Sequence, residues 1–290
     1  MGRSPTQALT SAPTRRVRTD LEQRLPRSLR VVSLLALLIL AGCNSDGGDP
    51  EPVIQLPASQ PLEPAPRAER LRAQLDLAEG YIEIEEYPRA RAALDRALDI
   101  DARNWEAHDL YGRIYQLQGE PELAERHFRL AIRADGDNAR VRNDYGVFLY
   151  QQARYDEAVS ELERAASDPD SPRRALAFEN LGLASLAAER RAQAREAFLR
   201  AVQLGDRMPL ALLELAELAF DDADYARSAG FYQRFLDIIT RQSPRSLWLG
   251  IRLARIAGDE DAEASYSLQL KNLFPYSEEH LRLREERSGG

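Results

Sequence analysis

Residues 139–165 read Ala-Arg-Val-Arg-Asn-Asp-Tyr-Gly-Val-Phe-Leu-Tyr-Gln-Gln-Ala-Arg-Tyr-Asp-Glu-Ala-Val-Ser-Glu-Leu-Glu-Arg-Ala. Two small residues, Gly146 and Ala158, flank the short polar segment Gln151–Arg154, and Leu162 and Ala165 follow at helical spacing. The same order of small and large residues recurs along the chain. One small series runs Ala90, Ala124, Ala158, Ala194 and Ser228, at spacings of 34, 34, 36 and 34 residues. A second, Ala78, Gly112, Gly146, Gly182 and Ala216, keeps the same spacings. Leu94, Phe128, Leu162, Phe198 and Tyr232 follow the first series, and Ala97, Ala131, Ala165, Ala201 and Phe235 come three residues later. Two antiparallel helices per unit explain this order: a Gly or Ala at the crossing lets backbones approach, and the large residues fill the grooves between units. Each unit alone would leave an apolar face in water, so the units must stack around one continuous core.

Spacing and order together resemble the tetratricopeptide repeat. The expected fold is all-α, a right-handed superhelical stack of about six helix-turn-helix repeats over residues 68–280. The units fall at about 71–104, 105–138, 139–174, 175–208 and 209–243, with a degenerate sixth at 244–277. The Pro common near the end of such units is largely missing, Ala102, Gly136 and Asp206 standing there. The longer third unit accommodates its extra residues in Ser167-Asp-Pro-Asp-Ser-Pro172, a loop composition. Residues 281–290 are expected to fray.

Outside the repeats the chain changes character. Arg27 and Arg30 precede the apolar run Val31–Ala41, which ends in Gly42-Cys43. These are the parts of a secretory signal peptide, and the run is far short of the roughly 20 residues that span a bilayer. An uncleaved anchor and a buried core helix are the alternatives. Leu40-Ala41-Gly42-Cys43 resembles the bacterial lipobox, which implies removal of residues 1–42 and acylation of Cys43, the only cysteine. Several acyl chains anchor a protein stably where one does not. Asn44 stands where retained inner-membrane lipoproteins usually carry Asp, which implies the outer membrane. Residues 43–67, interrupted by Pro50, Pro52, Pro57, Pro61, Pro64 and Pro66, are expected to form a disordered tether. At ~3.1 Å per residue it would reach up to ~70 Å.

Charge narrows the function. Residues 1–42 hold seven arginines against Asp20 and Glu22, a surplus of five; with −8 overall, the remainder carries −13. Such a body is repelled by phosphate backbones, so no nucleic-acid partner is expected. No cofactor or metal is expected either: His108, His127 and His280 lack ligand spacing, and no phosphate-cradling loop or nucleophile motif occurs. The carboxylate pairs Glu85–Glu86 and Asp221–Asp222 fall in turns and read as solvated charge. An enzyme is not expected.

What remains is the groove along the first helices. Repeat register places there Arg72, Leu75 and Glu79; Glu106, Asp109 and Arg113; Arg140, Asn143, Val147 and Tyr150; Glu179, Leu183 and Leu186; and Leu213, Glu217 and Phe220. The groove would be charged at its N-terminal end and apolar in units four and five, suiting an amphipathic helix or extended peptide. Alternatively those apolar residues pack on the next unit or on the C-terminal cap.

Asn143-Asp-Tyr-Gly-Val-Phe-Leu-Tyr150 with Arg154-Tyr-Asp-Glu-Ala158, Phe178-Glu-Asn-Leu-Gly-Leu183, Leu247-Trp-Leu-Gly-Ile-Arg-Leu-Ala254 and Ala264-Ser-Tyr-Ser-Leu-Gln-Leu-Lys-Asn-Leu-Phe-Pro-Tyr-Ser277 are more particular than a generic repeat. They resemble the type IV pilus biogenesis/stability lipoproteins, the PilF/PilW pilotin family. That resemblance implies a lipid-anchored protein on the periplasmic face of the outer membrane that binds the pilus secretin subunit and promotes its localisation and multimerisation. A scaffold of another outer-membrane assembly complex is the alternative. Some relatives carry two cysteines in repeats three and four; Tyr150 and Ala184 stand near there, so that bridge is absent. The chain is expected to be a monomer, because its repeats already stack on one another.

Overall fold

The computed structural model describes residues 65–288, with side chains to Glu286. The signal-peptide reading, the acylation of Cys43 and most of the tether lie outside the described residues. Among those described there are thirteen α-helices and no strand. They pair as α1 (Arg67–Glu83) with α2 (Tyr87–Ile100), α3 (Trp105–Leu117) with α4 (Pro121–Ala134), and α5 (Ala139–Gln151) with α6 (Tyr155–Ser167). The series continues with α7 (Arg174–Ala187) and α8 (Arg191–Leu204), α9 (Pro209–Asp221) and α10 (Tyr225–Leu236), and α11 (Pro244–Ala257) and α12 (Glu260–Leu273). A last helix, α13, spans Glu278–Ser288.

Short polar side chains start many of these helices by accepting from backbone N–H groups left free in the first turn. Asn104 Oδ1 accepts from Ala107 N at 2.8 Å and Asn138 Oδ1 from Arg140 N at 3.1 Å. Ser243 and Ser246 form a reciprocal capping box on α11. Within each unit the turn passes through a left-handed residue: Glu85, Gly119, Ala153, Glu189, Ala223 or Gly258.

The crossing of each pair shows why small residues are placed there. A Cβ added to Gly146 would lie 2.6 Å from Leu162 Cγ, and one on Gly112 would lie 2.8 Å from the Phe128 ring. Phe128, Phe148, Phe198 and Leu162 are among the largest fully buried side chains. Between units, α6 packs on α7 as closely as the two helices of one unit, through Ala165, Ala166, Ala177 and Ala184. The two extra loop residues after Ser167 therefore do not part the two units.

Two expectations are corrected. Arg67, counted with the tether, opens α1 and donates to the Ile100 carbonyl. Residues 281–290, expected to fray, instead belong to α13 as far as Ser288. Leu283 is buried against Leu247, Ile251 and Leu270, which holds the helix in place; the polar look of the segment concealed this single anchor. His108 and His127 form a packed pair, Nδ1 to Nδ1 3.4 Å, with His127 against the rings of Tyr111 and Tyr115. Burial lowers the pKa of both, that of His127 to about 4.

Candidate interaction groove

The first helices of successive units, α1, α3, α5, α7 and α9, touch their neighbours directly, whereas no two second helices make comparable contact among the described residues. The first helices therefore lie on the inner, tighter-radius side of the stack. Their side chains form a wall whose two ends differ.

At the N-terminal end the wall is a ladder of ion pairs linking units. Arg72 donates to Asp76 at 2.7 Å and to Glu106 at 3.3 Å. Arg140 donates to Glu106 at 3.2 Å and to Glu79, two units away, at 2.8 Å, and its Nε lies 3.7 Å from Asp109. Asp109 has no exposed surface. Burial, and next the facing carboxylate of Asp144, hold its carboxyl well above the usual range; Arg140 and Arg113 offset part of that rise. Asn143, also buried, accepts from Asn180 at 2.9 Å and donates to Asp144 at 3.0 Å. Gln116 and Gln151 add a further bond between α3 and α5 at 2.7 Å.

At the C-terminal end the partners come from α11. Arg245 donates to both Glu214 oxygens at 2.6 and 2.8 Å and to Glu217 at 2.6 Å. Arg252 lays its guanidinium 4.3 Å from the ring centroid of Phe220, which also meets Tyr225 edge-on. Glu179 points into the stack and accepts from the N–H of Ala211 at 2.9 Å, satisfying a free donor in the first turn of α9.

The predicted groove residues thus divide. Leu75 and Leu213 belong to the core, and Glu106, Asp109, Asn143 and Glu179 are buried in contacts between units. For these the placement on an open groove is corrected: Glu106, second in its unit, and the fifth residues Leu75, Asp109, Asn143, Glu179 and Leu213 turn towards the neighbouring helix rather than towards solvent. Glu217 and Phe220 are engaged by α11, the packing against the sixth unit that sequence left open as an alternative. Arg72, Glu79, Arg113, Arg140 and Val147 keep part of their surface, and Tyr150 is 37% exposed. Leu183 and Leu186 are half-buried, with Leu176 and Leu210 exposed nearby in the repeat register. Sequence reading missed Asp144, Asn180, Glu214, Arg245 and Arg252. Carrying the register into the sixth unit would have reached the two arginines; no sequence signal marks which neighbours the others bond.

These features define a repeat scaffold with an extended inner wall, and comparison with known proteins agrees. The tetratricopeptide repeat model matches residues 75–139, 112–172 and 179–245. The type IV pilus assembly protein PilF of Pseudomonas aeruginosa is 40% identical over 221 residues, covering 76% of this chain and 87% of that protein. The solved structure of P. aeruginosa PilF superimposes with a TM-score of 0.73, covering 76% of this chain and 99% of the other. The structure of PilW, a widely conserved type IV pilus biogenesis factor, gives 0.64 at 27% identity, covering 73% and 97%. The chain belongs to the tetratricopeptide-repeat family of type IV pilus assembly proteins that includes PilF.

Proposed function

We propose that this protein is a pilotin: a lipoprotein held to the periplasmic face of the outer membrane through Cys43, which binds the secretin subunit of the pilus through its inner wall. Binding, not catalysis, is its role, and it acts as a monomer. The observation that carries this reading is the division of the wall. Its ends are occupied by the protein's own ion pairs, while Val147, Tyr150, Leu176, Leu183, Leu186 and Leu210 retain accessible apolar surface in the middle. Such a surface accepts the apolar side of a helix or strand. Joining a lipid anchor and a binding surface in one chain raises the partner's effective concentration at the membrane.

The test is deletion of the gene, complemented by the wild type, Cys43→Ala, or Tyr150→Ala combined with Leu176→Ser. Outer-membrane secretin rings and surface pili are the readouts. Wild type should restore both. Cys43→Ala should leave secretin misplaced, and the wall variant should stay at the membrane but fail to recover secretin in pull-down. Rings and pili that persist in the deletion strain would overturn the assignment, leaving a scaffold for another assembly.

A further inference from the structure

The last two helices leave open a position that the repeats fill elsewhere. Between the fourth and fifth units, Leu199 of α8 and Leu215 of α9 line a groove into which α10 brings Arg227 and Phe231. Two repeat lengths on, the corresponding residues are Ser267 of α12 and Leu283 of α13, and they line a groove of about 610 Å³. Among the described residues no helix follows α13 to fill it. The register is fixed by two capping serines: Ser243 starts α11, and Ser277 accepts from His280 N at 3.2 Å at the start of α13.

The same register puts Arg284 where the earlier first helices carry Ala78, Gly112, Gly146, Gly182, Ala216 and Gly250. At that position a small residue is what allows a second helix of the usual kind to close in. Arg284 denies that approach and sets a cation in the groove instead. Lys271, on the facing helix, is a second cation, and neither has an ion-pair partner among the described residues. His280 supplies an independent observation: it lines the groove, is 7% exposed, and its Nδ1 has no hydrogen-bond partner. Leu268, 57% exposed, borders the groove with apolar surface. Two unpaired cations beside an apolar edge, on a body whose charge is otherwise strongly negative, select an acidic amphipathic segment.

We propose that the groove between α12 and α13 is a second docking site, which takes an acidic amphipathic helix of a partner protein in the place a further repeat helix would occupy. Its carboxylates meet Lys271 and Arg284, and its apolar side covers Leu268. The site is separate from the inner wall, so the two can fail independently.

The probe is a fluorescent amphipathic helix as long as α12, 14 residues, with leucines along one side and glutamates beside them. Its twin carries lysines in place of the glutamates. Anisotropy with the full chain in detergent should show the acidic probe binding about tenfold more tightly than the basic one. Lys271→Glu with Arg284→Glu should invert that preference; both side chains are exposed, and circular dichroism checks the fold. Lys271 is the only lysine of the chain. A zero-length carbodiimide link should therefore join it to a probe carboxylate, and Lys271→Arg should abolish that link. Ile84→Ala, at a 64% exposed position in the turn between α1 and α2, should leave probe binding unchanged. Equal binding of the two probes, or no response to charge reversal, would overturn the proposal. So would concentration-dependent self-association lost on Leu268→Asp, which would make a second copy the occupant.

Discussion

The two ends of the inner wall solve the same problem with different chemistry. In units one to three, successive first helices are joined by Arg72, Glu106, Arg140 and Glu79, charges spaced by one or two repeats that bond from unit to unit. In units four and five the first helices are apolar, and two arginines of α11 reach back to Glu214, Glu217 and Phe220. A charged ladder fixes the rotation of one unit on the next because each bond has a direction; an apolar wall leaves that to shape. The difference teaches where a partner has room. Both ends are engaged by the protein itself, so free contact surface is concentrated between them, around Tyr150, Leu176 and Leu210.

The largest effect is expected from removing the centre of the ladder. Arg140 is 21% exposed, and its loss removes the ion pair of Glu79 and leaves Glu106 with Arg72 alone, beside the buried Asp109. Breaking a largely buried pair from one side costs roughly 3 kcal/mol. Arg140→Ala should lower the urea midpoint accordingly, and an unchanged midpoint would mean that the ladder holds nothing. At the other end, Arg245→Ala strands Glu214, whose side chain is 6% exposed, but Arg245 itself is 44% exposed and solvent screens the pair. A loss of about 1–2 kcal/mol is expected there. If Arg245→Ala proves the costlier of the two, the two ends have been ranked wrongly.

How much of this could be read from the sequence follows from the same contrast. The helix pairs were legible because their cause is local: Gly146 admits Leu162 and Gly112 admits Phe128, and a repeated steric need leaves a repeated residue. The wall was legible only in outline. Register tells that Asp109 and Asn143 lie on the inner side, yet curvature decides whether they meet solvent or the next helix, and curvature is a sum over many side chains. Leu75 was misplaced for that reason, being 3% exposed in the core. The ordered α13 was missed because one residue, Leu283, anchors an otherwise polar segment.

A smaller effect separates the ladder's charges from its shape. The carboxyl of Asp109 is raised by burial and by Asp144, so the native state binds its proton more tightly than the unfolded chain does. Between the ordinary carboxylate range and that raised value the native state holds more protons, and this group's contribution to stability therefore falls as pH rises. His127 has the opposite sign. Lowered to about 4 from 6.5, it stays neutral in the fold while the unfolded chain takes a proton, so stability is lost as pH falls across that interval. Asp109→Asn removes the first dependence and leaves the second. At pH 8 the variant should be more stable than the wild type by about 1 kcal/mol, with the advantage shrinking on acidification. Thermal melts of both proteins across pH would show it, and a variant less stable at every pH would mean that the ionised carboxylate supports Arg140.

The smallest effect on stability per residue is expected at the positions proposed to meet the partner. Leu176 and Leu210 are 40% and 37% exposed, so each forgoes only part of the burial that a core leucine contributes. Replacing both with serine should cost about 1 kcal/mol per residue, below the cost at a core leucine, since partly exposed positions remove less apolar area from water. If the proposed pilotin role holds, the same pair should cost most of the affinity for secretin, because contact surface left open in the free protein is what a partner has to cover. Measuring both quantities on one variant separates the two uses of the wall. A large stability loss would place these leucines with Leu213 in the structural half, and the partner would then have to be sought on another face. A stable protein that no longer recovers secretin would assign the open middle of the wall to binding and its two ends to holding the superhelix.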